Sequence, residues 1–152
     1  MSFADLALAP VLLENLQRLG YSQPTPIQQQ AIPVILAGQD LMAGAQTGPG
    51  KTAAFVLPIL RRLLTQAAAQ PTVRALILVP TRELALQVHQ SVEQYAAGSR
   101  LRAALVYGGV SIAAQAEVLQ SGVELVIATP GRLLDHLRQG GGLADWRRGA
   151  GV

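Results

Sequence analysis

The chain has 152 residues and a mass of 16.0 kDa, which is the size of one domain. Half of its residues are hydrophobic and none is cysteine, which excludes an intrinsically disordered chain, a disulfide framework and a thiolate metal site. It shows neither a signal-peptide pattern nor an apolar run of the roughly 20 residues that cross a bilayer, so we expect a cytoplasmic protein. The net charge is +3, and Lys51 is the only lysine among the 12 basic residues.

The first 40 residues predict two helices. One begins at Pro10, since proline suits a first helical turn, and ends near Gly20. The other begins at Thr25, whose hydroxyl suits the N-cap position. Pro33 is expected to break or restart this second helix, and Gly38 to end it.

Residues 40 to 139 alternate between short apolar strands and helices. The strands are predicted at 40–43, 75–79, 103–106 and 125–128. The helices are predicted from Lys51 to about residue 69, around 84–95, after a cap at Ser111, and at 132–138. Strands that alternate with helices form a mostly parallel sheet, so the pattern predicts an α/β fold with ligands at the carboxyl ends of the strands.

The periodicity ends after Gln139, where a glycine- and arginine-rich stretch carries the only tryptophan. A segment without hydrophobic periodicity and with many glycines is typical of irregular structure. We therefore expect a folded region over residues 1–139 and a divergent, disordered tail over residues 140–152.

An octapeptide between the first predicted strand and its helix has the pattern of a phosphate-binding loop. It ends in Gly-Lys-Thr, as the Walker A pattern requires, with alanine in place of the first glycine. Glycines let backbone N–H groups turn toward phosphate oxygens, Lys51 supplies a positive charge, and the Thr52 hydroxyl can ligate Mg²⁺. The alternative is an ordinary glycine-rich turn. The eight residues are Ala45, Gln46, Thr47, Gly48, Pro49, Gly50, Lys51 and Thr52.

Pro49 departs from what a phosphate loop needs. Proline has no backbone N–H, so the loop loses one possible donor to a phosphate oxygen. The sequence therefore predicts weaker nucleotide binding than a serine or threonine at this position would give.

Four further motifs accompany the phosphate loop in a fixed order. They read GYSQPTPIQ (20–28), PTRELALQ (80–87), GG (108–109) and ATPGR (128–132), with Phe3 upstream. Together with the loop they resemble the first RecA-like domain of the DEAD-box ATP-dependent RNA helicases, and the N-terminal half is most similar to the bacterial RhlE-type members. The resemblance covers about residues 1–139. It implies a RecA-like P-loop NTPase domain with a parallel sheet.

On the nucleotide side, the resemblance implies that Gln28 reads adenine. An amide can donate to one atom and accept from another along one edge, and adenine offers a matching pair at N6 and N7. Phe3 or Tyr21 could stack on the base, and the alternative for both aromatic residues is core packing. ATP and Mg²⁺ are the expected cofactors, with Thr52 as the metal ligand.

On the nucleic-acid side, two motifs each follow an apolar strand and open a helix. Such segments present N–H groups, a hydroxyl and a guanidinium to phosphates, whereas the alternative role is simple helix capping. The glycine pair allows close approach of two backbones. The resemblance implies that these elements hold single-stranded RNA by its backbone. The residues concerned are Pro80, Thr81, Arg82, Gly108, Gly109, Thr129, Pro130, Gly131 and Arg132.

The Walker B element, an apolar strand that ends in an acidic residue, does not occur among the 152 residues. We therefore expect an incomplete domain in which the Walker B strand and later strands are missing, with no catalytic residue for hydrolysis. The resemblance favours an ATP-dependent RNA helicase fragment that binds ATP and RNA but is inactive alone. The alternatives are a non-catalytic nucleotide- or RNA-binding remnant and, less favoured, a P-loop small-molecule kinase.

RNA, single-stranded or in short duplexes, is the expected partner, with the ribosome or the RNA-degradation machinery as further candidates and no membrane. His89 and His136 have no metal-ligand spacing. Both are expected to be solvated on polar helix faces.

Overall fold

A computed structural model of the chain describes residues 2–39, 49–65 and 73–138, with the side chain of Pro49 outside that description. The chain divides into two compact units. The first comprises Met1–Ala67 and Ser91–Ser99, and the second comprises Ala68–Gln90 and Arg100–Val152. The predicted strand at 40–43 and the predicted tail at 140–152 lie outside the described residues.

The first unit is helical in its described part. It contains a 3-10 helix at Phe3–Leu6, α1 at Pro10–Arg18, α2 at Pro26–Leu36 and α3 at Pro49–Thr65. The last turns of α4, which spans Arg82–Tyr95, also belong to this unit. Leucines at the period of a helical turn line the buried face of α1, and α2 packs against α3.

The ends of α1 and α2 follow the expected chemistry, whereas the interior of α2 does not. The chain leaves α1 through Gly20, whose φ of +85° lies in the left-handed region that glycine adopts freely. Thr25 caps α2. The prediction that Pro33 breaks or restarts this helix is wrong, because α2 runs through Pro33 without interruption. Burial of the adjacent Ile32, which is fully enclosed, outweighs the loss of one backbone hydrogen bond at the proline.

The second unit contains a parallel sheet of three strands. The strands are β1 at Ala75–Leu78, β2 at Ala103–Val106 and β3 at Leu125–Ala128, and β3 lies in the centre. The helices α5 at Ile112–Gln120 and α6 at Pro130–Arg138 belong to the same unit, as do the first turns of α4. The strand order and the alternation of strands with helices confirm the predicted α/β class.

The register of the strands brings their carboxyl ends to one edge of the sheet. Leu78 at the end of β1 and Val106 at the end of β2 both lie opposite Ala128 at the end of β3. All four residues of β3 are buried, as expected for a central strand covered on both faces. The three segments that follow the strands therefore start side by side.

Among the described residues, no helix combines the length and the apolar character that a membrane crossing requires.

Candidate nucleotide and nucleic-acid sites

Gln28 lies in the first turn of α2, and its side-chain amide is bonded at both ends. Its Oε1 accepts a hydrogen bond from Thr25 N at 2.9 Å, and its Nε2 donates to Gly50 O at 3.1 Å. The hydroxyl of Thr25 accepts from Gln28 N at 3.4 Å, which completes a capping box. The residue is 2% exposed. An amide has two N–H groups and two lone pairs, so Gln28 keeps one of each beyond these bonds.

The start of α3 approaches the start of α2 closely at Gly50. A methyl group on Gly50 would lie 3.1 Å from both Cγ2 and Oγ1 of Thr25. A side chain there would have to displace Thr25, so the glycine serves packing as well as the phosphate-loop pattern.

The described part of the phosphate loop belongs to the first turn of α3. The helix begins at Pro49, a position where the missing N–H breaks no helical hydrogen bond. Lys51 is exposed and Thr52 is half-buried, and the first-turn N–H groups of a helix have no partner within the helix. The other predicted loop residues lie outside the described residues: Ala45, Gln46, Thr47 and Gly48.

The two aromatic residues considered for base stacking have different surroundings. Phe3 is 5% exposed and packs in the interior of the first unit. Tyr21 is 37% exposed and meets Tyr95 edge to face, with ring centroids 6.2 Å apart. Burial, together with Tyr21, raises the pKa of Tyr95 above its ordinary range. Tyr21 is therefore the aromatic face that a base could reach.

The segment after β1 places Thr81 and Arg82 at the entrance to α4. The Thr81 hydroxyl accepts a hydrogen bond from Leu84 N at 3.2 Å, so it caps the helix. Arg82 is exposed, and its guanidinium carbon lies 5.0 Å from the centroid of the Tyr107 ring. Pro80 is also exposed.

The glycine pair after β2 forms an exposed turn beside Arg82. Gly109 has a φ of +87°, which a residue with a side chain adopts at a cost. A methyl group on it would lie 3.7 Å from Nη1 of Arg82. Gly108 and Val110 are exposed as well. The turn thus combines open backbone with a neighbouring cation, which is a suitable arrangement for a phosphate.

The segment after β3 opens α6 with Thr129-Pro130-Gly131, and its arginine points back to the turn after β2. Nη1 of Arg132 donates to Val110 O at 2.9 Å and to Gln115 Oε1 at 3.2 Å. Its Nε lies 3.6 Å from a carboxylate oxygen of Asp135. The Arg132 side chain is 15% exposed, so most of the guanidinium is engaged within the chain.

His136 is buried, and the prediction that it is a solvated histidine is wrong. It is 2% exposed, and its Nε2 lies 3.1 Å from Oε1 of Gln115. Burial, aided by the charge of Arg132, lowers the pKa of His136, while Asp135 opposes this shift. The imidazole is on the apolar face of α6, because Leu133 precedes it by three residues and is buried too. His89 is half-buried.

The motifs did not identify Tyr107, Gln115 and His136. Tyr107 and Gln115 contact the motif residues Arg82 and Arg132, and His136 contacts Gln115. Their signal in the sequence is only positional. His136 shares a helical face with the buried Leu133, and Gln115 lies one turn after the cap of α5 at Ser111. In the part of the chain that the structure describes, no cluster of three or more His, Cys, Asp or Glu residues could hold a metal.

The chain is similar to known proteins that are named as RNA helicases. The DEAD/DEAH box helicase family model matches residues 25–148. "Probable ATP-dependent RNA helicase ddx27" of Dictyostelium discoideum is 50% identical over 142 residues, which is 93% of this chain and 18% of the relative. DEAD-box ATP-dependent RNA helicase 28 of Oryza sativa subsp. japonica is 50% identical over 137 residues, 90% of this chain and 17% of the relative.

ATP-dependent RNA helicase drs1 of Neurospora crassa is 45% identical over 143 residues, which is 94% of this chain and 17% of the relative. The chain therefore spans less than a fifth of the length of these relatives. None of the three carries the RhlE name, so that expected subtype is not confirmed.

Proposed function

The chain belongs to the DEAD/DEAH box helicase family, and from this premise we propose that it binds ATP through its first unit and the backbone of single-stranded RNA through its second. The observation that carries the proposal is the meeting of three motif segments at one edge of a parallel sheet. Ligands of such sheets bind at this edge.

The RNA half of the proposal relies on uncharged donors held beside two cations. The turn at Gly108–Gly109 is exposed, and the first turns of α4 and α6 present N–H groups that no helical bond uses. Arg82 adds an exposed positive charge, and Arg132 offers the remaining edge of its guanidinium. None of these groups reads a base edge, so the proposed binding is by phosphate and sugar and is largely independent of sequence.

The ATP half relies on the donors around the start of α3. Lys51 is exposed there, Thr52 would hold Mg²⁺, and the helix N-terminus favours negative charge. Gln28 keeps one donor and one acceptor beyond its bonds to Thr25 and Gly50, which matches the two adenine atoms it would read. These residues fit a nucleoside triphosphate with Mg²⁺. The Mg²⁺ ion would neutralise negative charge at the phosphates.

We propose binding without turnover for the chain of 152 residues. Its relatives are named ATP-dependent RNA helicases, and hydrolysis in P-loop enzymes needs an acidic residue at the end of an apolar strand. Glu124 precedes β3 and does not follow it, so it cannot take that position. The first candidate function is accordingly nucleotide and RNA binding as part of a helicase, and the second is a non-catalytic binding protein.

The test is to measure ATP affinity, RNA affinity and RNA-stimulated ATP turnover on the 152-residue chain. Fluorescence anisotropy of a labelled ten-uridine RNA reports RNA binding, and equilibrium dialysis with labelled ATP reports nucleotide binding. We expect both ligands to bind and Lys51→Ala to weaken ATP binding about tenfold or more, the effect of one charge-assisted hydrogen bond. Failure of either ligand to bind would contradict the corresponding half of the proposal, and turnover would contradict the absence of hydrolysis.

A further inference from the structure

One buried amide joins two of the three segments at the edge of the sheet. Gln115 of α5 is 8% exposed, and its Nε2 donates to Tyr107 O at 2.9 Å. Its Oε1 accepts from Arg132 Nη1 at 3.2 Å and meets His136 Nε2 at 3.1 Å. The amide therefore contacts the start of the turn after β2 with one end and the arginine after β3 with the other.

We infer that Gln115, supported by His136, is a positioning residue that fixes Arg132 and the turn at 107–110 in their RNA-binding arrangement. The inference rests on the proposed RNA binding by these segments. Gln115 itself would not touch the RNA. It would act by holding a backbone turn and a guanidinium that do.

The hydrogen-bond pattern allows only one orientation of the amide. Tyr107 O can only accept, and the Arg132 guanidinium can only donate, so the amide nitrogen must face the turn and the oxygen must face the arginine. With Oε1 as the acceptor, Nε2 of the neutral His136 is the donor. Both lone pairs of Oε1 are then occupied, and the amide can neither flip nor accept a further bond.

The same contacts reduce the cost of binding a phosphate. A free arginine side chain loses rotamer freedom when it binds a ligand, and an ordered one has already lost it. Arg132 is ordered by Val110 O on one side and Gln115 on the other. Because Val110 ends the turn that Tyr107 begins, the arginine and the amide hold both ends of the glycine pair.

The test uses a double-mutant cycle on the 152-residue chain, with the labelled ten-uridine RNA as the probe. Gln115→Met removes the polar atoms but keeps the length of the side chain, and we expect it to weaken RNA binding about tenfold. Arg132→Gln is the second variant. Because Gln115 acts through Arg132 and the turn that Arg132 also contacts, the loss of RNA affinity in the double variant should be smaller than the sum of the two single losses.

A conservative variant covers the case in which Gln115→Met folds poorly. Gln115→Asn keeps the amide but is one methylene shorter, so it cannot reach both Tyr107 O and Arg132 Nη1. We expect it to weaken RNA binding in the same direction as Gln115→Met. A Gln115→Asn chain that binds RNA as tightly as the parent would overturn the role of the bridging amide.

A matched control separates positioning from general loss of stability. Asn15 is a buried amide in the first unit, which donates to Tyr95 O and Ala97 O, and it lies outside the proposed RNA site. We expect Asn15→Leu to lower the unfolding temperature while leaving RNA affinity within twofold. In the absence of RNA, the amide hydrogens of Gly109 and Val110 should exchange faster in Gln115→Met and not in Asn15→Leu.

The outcomes distinguish the inference from the function it rests on. A parent chain that does not bind the RNA overturns the proposed function and with it the role of Gln115. Two results would overturn the inference alone, provided that the parent chain binds the RNA. One is a Gln115→Met chain that binds the RNA equally well, and the other is strict additivity of the two substitutions in the cycle.

Discussion

Two buried glutamines, one in each unit, join neighbouring segments in different ways. Gln28 in the first unit bonds Thr25 N and Gly50 O, both of them backbone groups, and keeps one N–H and one lone pair. Gln115 in the second unit has both lone pairs of its oxygen occupied by side chains. Each amide nitrogen keeps one N–H, but only Gln28 keeps a lone pair on its oxygen.

Removal of the two amides should lower the free energy of unfolding by unequal amounts, and the loss at Gln115 should be the larger. Gln115→Met removes one hydrogen-bond partner from each of a guanidinium, an imidazole and a carbonyl, so we expect the free energy of unfolding to fall by about 3 kcal/mol. Gln28→Met leaves two backbone groups, one of them on the exposed Thr25, and should cost about 2 kcal/mol. Urea unfolding followed by circular dichroism measures both. Equal losses would mean that the number of partners does not set the cost.

The close approach of Gly50 to Thr25 provides a second test, which concerns the contacts of Gln28. Gly50→Ala places a methyl group 3.1 Å from the side chain of Thr25, so the capping box of Gln28 must shift. We expect a loss of about 1–2 kcal/mol in the free energy of unfolding, the usual cost of overpacking. Gly131→Ala is the matched control, since a methyl group on Gly131 meets nothing within 4 Å in the first turn of α6. This control should not destabilise the chain, and a comparable loss in both variants would refute the packing explanation.

The network of Gln115 should also make the second unit sensitive to acid. The pKa of His136 is lowered by burial and by Arg132, so the unfolded chain takes up a proton at a higher pH, near the ordinary value of 6.5, than the folded chain does. Stability is therefore fully present above pH 6.5 and declines as the pH falls below it.

Thermal unfolding at pH 7.5 and pH 5.5 checks this expectation. The first unit contains no histidine, so no histidine of that unit contributes to the change. The chain with His136→Gln should lose less stability over this interval than the parent does. Asp135 faces the same imidazole and limits the effect. A decline of equal size in both chains would assign it to other groups.

The smallest expected effect concerns Pro49. Pro49→Thr restores a backbone N–H in the phosphate loop, and one added hydrogen bond should tighten ATP binding by about two- to tenfold. Gln28 does not change in this variant, so the gain should be the same for ATP and GTP. Equilibrium dialysis of both nucleotides measures the two quantities, and an unchanged ATP affinity would show that the missing N–H is not a phosphate donor.

Much of the fold could be predicted from the sequence because local signals agreed with the tertiary structure. The strands at 103–106 and 125–128 are continuous apolar runs, and they appear at those positions. Ser111 was predicted as a cap, and its hydroxyl accepts from Ala114 N. The effect of Pro33 on α2 could not be predicted from the neighbouring residues, since whether the helix tolerates the proline depends on how α2 packs against α3.

The positions of the motifs at the carboxyl edge of the sheet were predictable, but the contacts that organise them were not. Parallel strands must end at one edge, so the meeting of the three segments follows from the alternation of strands and helices. The bonds of Gln115 join residues that are 8, 17 and 21 positions apart in the chain, and no periodicity signals them. Gln28, in contrast, bonds Thr25 three residues away and could be assigned to a capping box from the sequence.

The salt dependence of RNA affinity distinguishes recognition of the RNA backbone from uncharged contacts, because an uncharged contact is insensitive to salt and a phosphate contact is not. We predict that log affinity for the ten-uridine RNA falls linearly with log salt, by about 0.7 for each phosphate neutralised. Arg82→Gln should make the slope shallower by about 0.7, whereas Asn15→Leu should leave it unchanged. A parent chain whose RNA affinity does not change with salt would contradict backbone recognition at this edge of the sheet.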